Sequence, residues 1–374
     1  MSACDGCLRR SWLVGSLSAS IEQAISGLPA ARSRELLGLT DERLAEAVGG
    51  DDSAAFLHRA RIRDAGRLRT AIQGARVWAA CRHDPLYPGS LRDLSDAPAI
   101  LFGRGDPKHL ERLGEPAVTV VGTRRPSSYG RELAFSLGWE LGAAGVPVIS
   151  GMANGVDSRA HEGALQARGF TVAVLGSGPD VPSPAGRARL HERIADDGLV
   201  LSELPPGTNP RRWTFPARNR IMAALGRMTV VVEGRARSGS LITSSMAEDL
   251  GRDVGAVPGR VGNPVAEGTN QLLADGAHVI RGGRDILDAL LGPGQRSCGA
   301  PVGKSLEPEL ASALEAVDRG AATGDEVARA SGLAAGAALS ALVRLELAGL
   351  VICDGAGRYE RSVAAAGSRG GPSG

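Results

Sequence analysis

The sequence predicts an α/β protein with an extended Rossmann-like, doubly wound parallel sheet, a small N-terminal helical module and a C-terminal winged helix. From residue 117 onward, short β-branched runs alternate with segments of helical spacing, which is typical of a parallel sheet covered on both faces. Residues 1–76 show helical spacing alone, and residues after 305 show three helical segments followed by a short hairpin. With 374 residues, 43% of them apolar, the chain can bury the cores of two or three domains.

The elements of the sheet domain follow in strict alternation. Strands are predicted at 118–121, 146–149, 171–175, 199–201, 229–232, 253–257 and 278–280. Helices are predicted at 127–144, 158–168, 184–196, 218–225, 240–250, 267–274 and 285–290.

Shifts in composition set the domain boundaries. We expect the N-terminal helical module at 1–76, the sheet domain at 77–291, a Gly- and Pro-rich linker at 292–305, the winged helix at 306–361 and a disordered tail at 362–374. The presumptive recognition helix, 334–348, is mostly Ala and Leu with Arg344 as its one basic residue. Because it lacks side chains that read base edges, we interpret the winged helix as a protein-contact or accessory module.

The charge balance excludes a polycation that binds DNA by bulk charge. There are 43 Lys+Arg against 41 Asp+Glu, a formal net charge of +2. The only lysines are Lys108 and Lys304, an arginine bias typical of a G+C-rich genome. No apolar run reaches the ~18 residues of a membrane span, and we expect a cytoplasmic protein. The positions of particular arginines therefore matter more than their number.

Small polar loops follow several predicted strands. In a doubly wound sheet, ligands bind where such loops lead into helix N termini, which offer free N–H groups and a positive dipole end. Several such loops at one sheet edge predict a phosphate-binding site. The residues concerned are Gly122, Thr123 and Arg124 after the first strand, Gly151, Asn154 and Gly155 after the second, and Ser238, Gly239, Ser240 and Thr243 after the fifth.

Two nucleotide-binding classes are excluded by missing motifs. The dinucleotide fingerprint G-x-G-x-x-G is absent from these loops. The sole Walker A candidate, 299–305, has the wrong spacing and lies in the linker. A nicotinamide dehydrogenase and a P-loop ATPase are therefore not expected.

The segment 211–220 concentrates four arginines, an amide and two aromatic side chains. Arg218 and Arg220 fall in or near the predicted first turn of a helix, where a positive charge opposes the dipole. Guanidiniums beside Phe215 suit a nucleic-acid strand, with phosphates on Arg and bases on aromatic faces. The alternative is that the aromatic residues belong to the core and the arginines pair with Glu203 or Glu233.

The sequence offers no catalytic centre. Asp157 and His161 lie one helical turn apart, but we interpret Asp157 as a helix N-cap with His161 packed behind it. Glu233 either acts on a ribosyl bond or orients arginines, and we favour orientation.

The cysteines are odd in number and scattered, which does not describe a disulfide framework. Cys4 and Cys7 form a C-x-x-C motif that Cys81 and His83 could complete as a zinc site. Unligated thiols are the alternative, which we favour, and no metal or cofactor is expected.

These stretches together resemble the DNA-processing protein A (DprA, or Smf) family. The resemblance covers about 77–291 in order, and only the domain type agrees in the flanks. One departure is mild, Thr123 where the family has Ser; another is larger, since 181–187 lacks the family's aromatic residue and Asn, and Arg187 is expected to supply charge there. The matching stretches are V-G-T-R at 121–124, S-G-M-A-N-G-V-D at 150–157, F-P-A-R-N-R-I at 215–221, S-G-S-L-I-T at 238–243 and V-P-G at 257–259.

The resemblance implies a non-enzymatic homodimer that binds and protects incoming single-stranded DNA and helps load the RecA recombinase in natural transformation. The expected DNA contacts are the loop residues above with Arg187, Phe215, Arg218, Asn219 and Arg220. Two other classes stay open: an enzyme that cleaves the glycosidic bond of nucleoside monophosphates, with Glu233 as the catalytic residue, and a regulatory adaptor that senses a phosphorylated ligand.

Overall fold

A computed structural model describes residues 3–26, 35–294, 307–347, 350–354 and 357–361. The chain forms two compact units, Met1–Arg296 and Ser297–Gly374. Most of the expected linker, 295–305, and the expected disordered tail, 362–374, lie outside the described residues.

The N-terminal helices pack directly on the sheet domain within the first unit. Leu13, Leu17 and Ile21 share a buried cluster with Trp213, whose Nε1 donates to the carbonyl of Ser18 at 3.0 Å. Trp213 is thus a core residue, as the alternative interpretation had it. The helices are α1 (Asp5–Ser16), α2 (Ser18–Ala24), α3 (Asp41–Gly49), α4 (Ser53–Arg61) and α5 (Ala65–Gly74).

A nine-stranded sheet forms the centre of the first unit, in the order β1-β2-β6-β5-β4-β3-β7-β8-β9. Strands β3 to β9 are parallel, and the sequence located all seven. The antiparallel strands β1 and β2 extend the edge beside β6, and sequence patterning missed them. The strands are β1 (Trp78–Cys81), β2 (Ile100–Arg104), β3 (Val118–Val121), β4 (Val148–Ser150), β5 (Thr171–Val174), β6 (Leu199–Ser202), β7 (Met228–Val231), β8 (Asp253–Ala256) and β9 (His278–Val279).

Helices alternate with the strands: the first lies between the antiparallel strands β1 and β2, and the others lie between or after the parallel strands. The helix predicted at 218–225 begins at Thr214 instead, because Pro216 falls within its first turn, where a missing N–H costs nothing. Arg218 and Arg220 consequently lie past the first turn. The helices are α6 (Gly89–Arg92), α7 (Ser128–Ala143), α8 (Val156–Gln166), α9 (Ala188–Asp197), α10 (Thr214–Leu225), α11 (Gly239–Asp249), α12 (Glu267–Ala274) and α13 (Gly283–Leu291).

The strand order reverses at β3, which has β4 on one side and β7 on the other. From β3 to β6 the chain adds each new strand on one side of β3, and from β7 to β9 it adds each new strand on the other side. The loops after β3 and β7 therefore diverge, and a crevice opens beyond the carboxyl ends of these two strands. Ligands of doubly wound proteins bind at such switch points. The loops that begin at Gly122 and Glu233 face each other there, and the Thr123 amide donates to the carbonyl of Glu233 at 2.7 Å.

The second unit is a winged helix whose core includes Leu314, Val327 and Leu342. Arg344 forms a two-bond ion pair with Glu307, with nitrogen–oxygen distances of 2.7 and 2.9 Å. Within the described residues no single helix is long and apolar enough to cross a membrane; one bent pair, Gly324–Ser331 with Ala335–Glu346, passes by length and composition only. The elements are α14 (Pro308–Asp318), α15 (Gly324–Ser331), α16 (Ala335–Leu347), β10 (Val351–Cys353) and β11 (Tyr359–Arg361).

Candidate nucleic-acid interface

An open cleft of about 610 Å³ lies at the switch point. Its walls come from the loop after β3, the segment from the end of β4 into α8, the loop after β7 with the start of α11, and one face of α10. The lining residues include Gly122, Thr123, Arg124, Arg125, Asp157, Phe215, Arg218, Asn219, Met222, Arg235, Ser238, Gly239, Ser240, Ile242, Thr243 and Val265. The structure thus brings together residues from four of the stretches that the sequence singled out, 121–124, 150–157, 215–221 and 238–243.

The cleft is electropositive. Four arginines and one carboxylate line it, and Arg124, Arg125 and Arg235 are exposed. The Arg124 guanidinium lies over the Phe215 ring, 5.4 Å from its centroid. This stacking holds a cation beside an aromatic ring, and both side chains line the cleft.

The N terminus of α11 opens into the cleft. Ser238 is its N-cap residue, and the Ser238 hydroxyl lies 2.6 Å from the hydroxyl of Ser240 instead of capping a first-turn amide. The Leu241 amide donates to the Ser238 carbonyl at 3.2 Å, but no side chain caps the N–H groups before it, so these and the positive dipole end stay available to an anion. Together with the exposed arginines, this arrangement can hold a phosphate.

Arg218 forms the buried floor of the cleft instead of an exposed cation. It is 6% exposed, and its Nη1 donates to the carbonyls of Gly151 at 2.5 Å and Val174 at 2.6 Å. Its Nη2 lies 4.0 Å from the Asp157 carboxylate. Burial lowers the pKa of Arg218, Asp157 opposes that shift, and Arg124 adds to it. Its main role is to tie the loop after β4 to strand β5 and α10.

Two glycines permit this close packing. A Cβ at Gly151 would lie inside the Arg218 guanidinium. Gly155 has φ +90, and a Cβ there would meet the Thr123 carbonyl oxygen at 2.5 Å. Gly151 and Gly155 therefore shape the interface from behind; neither lines the cleft.

Glu233 holds the start of α7. Its Oε1 accepts from the Ser127 hydroxyl at 2.5 Å, and its Oε2 accepts from the Ser127 amide at 2.9 Å. A negative charge there favours the positive helix end. The cleft lining does not include Glu233. The geometry agrees with an orienting role for this carboxylate, directed at a helix N terminus and not at an arginine.

Arg220 does not reach the cleft, which corrects its assignment as a DNA contact. It is 1% exposed, with nitrogen–oxygen distances of 3.0 Å to Asp96 and 2.7 Å to Glu203. Burial alone lowers its pKa, but these two carboxylates more than offset that and hold the pKa above its usual value. The pairing with Glu203 is the alternative that the sequence left open.

Asn154 and Arg187 also lie outside the cleft lining. The Arg187 Nε donates to the Asn154 Oδ1 at 3.2 Å, and its Nη1 lies 3.1 Å from Glu162. The charge of Arg187 is thus shared with a carboxylate on α8. These side chains remain a predicted outer contact, separate from the cleft.

The pair Asp157 and His161 has no acid–base geometry. His161 is fully buried, and its Nδ1 lies 2.6 Å from the Thr171 hydroxyl, which donates to the Val148 carbonyl. Burial, and to a smaller extent the nearby Arg218, lower the pKa of His161 to about 3, so the ring is neutral at neutral pH. The interpretation of Asp157 as the helix N-cap is wrong, because Asp157 lies inside the first turn of α8 and Gly155 is the N-cap residue.

Sequence reasoning left Arg125 and Arg235 off the predicted contacts. Both are exposed and line the cleft. The available signal was their position, since each follows within four residues of the end of a parallel strand. Met222, Ile242 and Val265 add apolar surface that only the folded chain brings to the site.

A separate group could hold a metal. The ligand atoms of Cys4, Cys7, Cys81 and His83 all lie within 4.8 Å of one another.

Known proteins resemble the chain over most of its length. Residues 78–291 match the family described as DNA recombination-mediator protein A, and residues 300–357 match the DprA winged helix domain. A putative DNA processing protein DprA from Mycobacterium tuberculosis is 40% identical over 279 residues, covering 72% of this chain and 71% of the relative. The DNA processing protein DprA of Streptococcus pneumoniae is 39% identical over 244 residues, covering 65% of this chain and 84% of the relative.

Two solved structures share the fold. The X-ray structure of DprA from Streptococcus pneumoniae superposes with a TM-score of 0.61 at 33% identity, covering 78% of this chain and 99% of that one. DNA processing protein A from Helicobacter pylori, whose structure concerns its single-stranded DNA binding mode, superposes with a TM-score of 0.52 at 30% identity, covering 58% of this chain and 96% of that one.

Proposed function

This chain belongs to the DNA recombination-mediator protein A (DprA) family, and we propose that it binds single-stranded DNA in the cleft between β3 and β7. The observation that carries the proposal is the exposed Arg124 stacked on Phe215 beside the N terminus of α11. That arrangement supplies a cation, free amides and an aromatic face within one cleft. These are the groups that bind a nucleic-acid strand without reading its sequence.

The proposed contacts divide by chemistry. Arg124, Arg125 and Arg235 pair with phosphates, and the first-turn amides of α11 bind one phosphate. Phe215 stacks on a base. A cleft of about 610 Å³ is on the scale of small-ligand pockets, so it accommodates a nucleotide or two of a strand and excludes a base-paired duplex.

Buried groups hold these contacts in place. Arg218 fixes the loop after β4, and Glu233 fixes the start of α7. Thr123 joins the two cleft loops through its amide. The proposed interface is therefore preorganised, which lowers the entropy cost of binding.

We assign the finer role from the family. The protein protects incoming single strands and helps load RecA recombinase onto them in the cytoplasm during natural transformation, acting as a homodimer. This role predicts that recombinase filaments form faster on a strand pre-bound by the protein. Analytical ultracentrifugation of the purified protein tests the dimer.

The direct test is a titration of fluorescent single- and double-stranded oligonucleotides of one sequence, followed by fluorescence anisotropy. Tighter binding of the single strand, weakened about tenfold by Arg124→Ala, supports the proposal. Arg227→Ala is the matched control. Arg227 is also exposed, but it directly precedes β7 and so lies at the amino-terminal end of the strands, opposite the cleft. Equal affinity of all three proteins for both oligonucleotides would overturn it. Adding recombinase to the same strands then measures loading.

A further inference from the structure

We propose that Cys4, Cys7, Cys81 and His83 form a structural zinc site that fastens the N-terminal helices to the edge of the sheet. Three thiolates and an imidazole are a ligand set that zinc takes in closed, four-coordinate structural sites. The site is independent of the DNA-binding cleft. It reverses our sequence-based preference for unligated thiols.

The distances fit tetrahedral coordination. His83 Nδ1 lies 3.5 Å from Cys4 Sγ, 3.5 Å from Cys7 Sγ and 3.9 Å from Cys81 Sγ. With Zn–S near 2.3 Å and Zn–N near 2.0–2.1 Å, a tetrahedral site separates sulfur from nitrogen by about 3.6 Å. All four ligand atoms lie within 4.8 Å of one another, so small rotations of side chains complete the tetrahedron.

The first half of the site is built by the start of α1. Cys4 is the N-cap residue of this helix and Cys7 lies in its first turn, so both sulfurs face the same side. Arg69 of α5 holds this end in place, with Nη2 donating to the Ala3 carbonyl at 2.9 Å and to Asp5 at 2.6 Å. The C-x-x-C pair is thus fixed by contacts that do not involve the thiols.

The second half is a turn after β1. Cys81 ends the strand, and the Asp84 amide donates to the Cys81 carbonyl at 2.7 Å. Arg92 clamps the turn, donating to the carbonyls of Arg82 at 3.3 Å and Asp84 at 2.7 Å. This turn directs His83 back over Cys81.

The position of His83 favours a metal over a disulfide. A disulfide would join two of the three sulfurs and would leave the third thiol and the imidazole outside the bond. Instead, the Nδ1 atom of His83 faces all three sulfurs, and the ligands come from segments that are 79 residues apart in the case of Cys4 and His83. Beneath them, Cys7 and Cys81 join Leu8, Ile100 and Phe102 in one buried cluster. Zinc would close that cluster at the surface.

The test uses the full chain purified under reducing conditions from zinc-supplemented medium. We expect about one zinc per chain by mass spectrometry of the metal, and cobalt substitution should give the visible bands of tetrahedral cobalt–thiolate. Cys7→Ser and Cys81→Ser should each lower zinc affinity at least tenfold in chelator competition. Cys353→Ser, a cysteine of the winged-helix unit, is the matched control and should keep its zinc.

Two variants keep the test informative if loss of a buried cysteine prevents folding. Cys4 and His83 are exposed, so Cys4→Ser and His83→Ala are expected to fold. His83→Ala should lose zinc, and His83→Cys should restore it with a four-sulfur cobalt spectrum. Absence of stoichiometric zinc in the parent after add-back, or equal zinc in the parent, His83→Ala and Cys353→Ser, would overturn the proposal.

Discussion

Replacing Arg218 by Met should destabilise the protein strongly, because its guanidinium is a buried structural group. The substitution removes donors from the Gly151 and Val174 carbonyls, bonded at 2.5 and 2.6 Å, and takes the cation away from Asp157 at 4.0 Å. Hydrogen bonds to a charged group contribute about 1.5–3 kcal/mol each, and breaking a buried ion pair costs about 3–5 kcal/mol. These contributions overlap, so we expect a loss of about 3–5 kcal/mol.

Differential scanning calorimetry of the parent, Arg218→Met and Arg124→Ala measures this effect. For a unit of this size, the loss corresponds to a Tm lower by about 5–10 °C. Arg124 is exposed and stacked on Phe215, so Arg124→Ala should cost about 1 kcal/mol or less. A Tm for Arg218→Met within about 1 °C of the parent would refute the reasoning, since Arg218 would then not hold the loops together.

Three further predictions follow from buried contacts. Gly151→Ala should cost about 1–3 kcal/mol by calorimetry and weaken strand binding, because a Cβ there displaces the Arg218 guanidinium; unchanged binding would contradict this. Burial lowers the pKa of His161 to about 3 in the folded protein, whereas an exposed histidine has a pKa of about 6.5. Below about pH 6.5 the unfolded chain therefore binds a proton at this residue and the folded chain does not. The parent should therefore lose about 2 kcal/mol more than His161→Leu between pH 7 and pH 5 in urea titrations, and parallel pH profiles would exclude a neutral buried ring. Glu233→Gln should lower the free energy of unfolding by about 1 kcal/mol, because the carboxylate stabilises the start of α7. It should leave the affinity for a DNA strand within about twofold of the parent. If Glu233 were catalytic instead, the parent would release free base from nucleotides and Glu233→Gln would not.

The sequence located the parallel strands because buried parallel strands are continuous β-branched runs between glycine-rich turns. It missed β1 and β2, since Trp78–Cys81 and Ile100–Arg104 precede the regular strand–helix alternation and only the four-residue helix Gly89–Arg92 lies between them. A helix of one turn is too short to show the helical periodicity that marks the alternation elsewhere. The sequence also placed the start of α10 at residue 218, whereas the helix begins at Thr214.

The site was predicted at its loops and not at its floor. Gly122, Thr123 and Arg124 were found because they directly follow a strand, and the structure places them in the cleft. Arg218 and Arg220 are two residues apart on one helix, yet one floors the cleft and the other pairs with Asp96 and Glu203 on its far side. The spacing of the two arginines in the sequence cannot show which one lines the cleft and which one is buried in ion pairs, because tertiary packing brings the partners of Arg220 to it.

The salt dependence of single-strand affinity tests the central claim most directly. Dissociation constants for a labelled oligothymidine would be measured at several salt concentrations for the parent, Arg124→Ala and Arg227→Ala. If Arg124 contacts a phosphate, its replacement lowers the slope of log affinity against log salt by about 0.7, while Arg227→Ala keeps the parental slope. Three lines of equal slope and equal affinity would contradict DNA binding in this cleft.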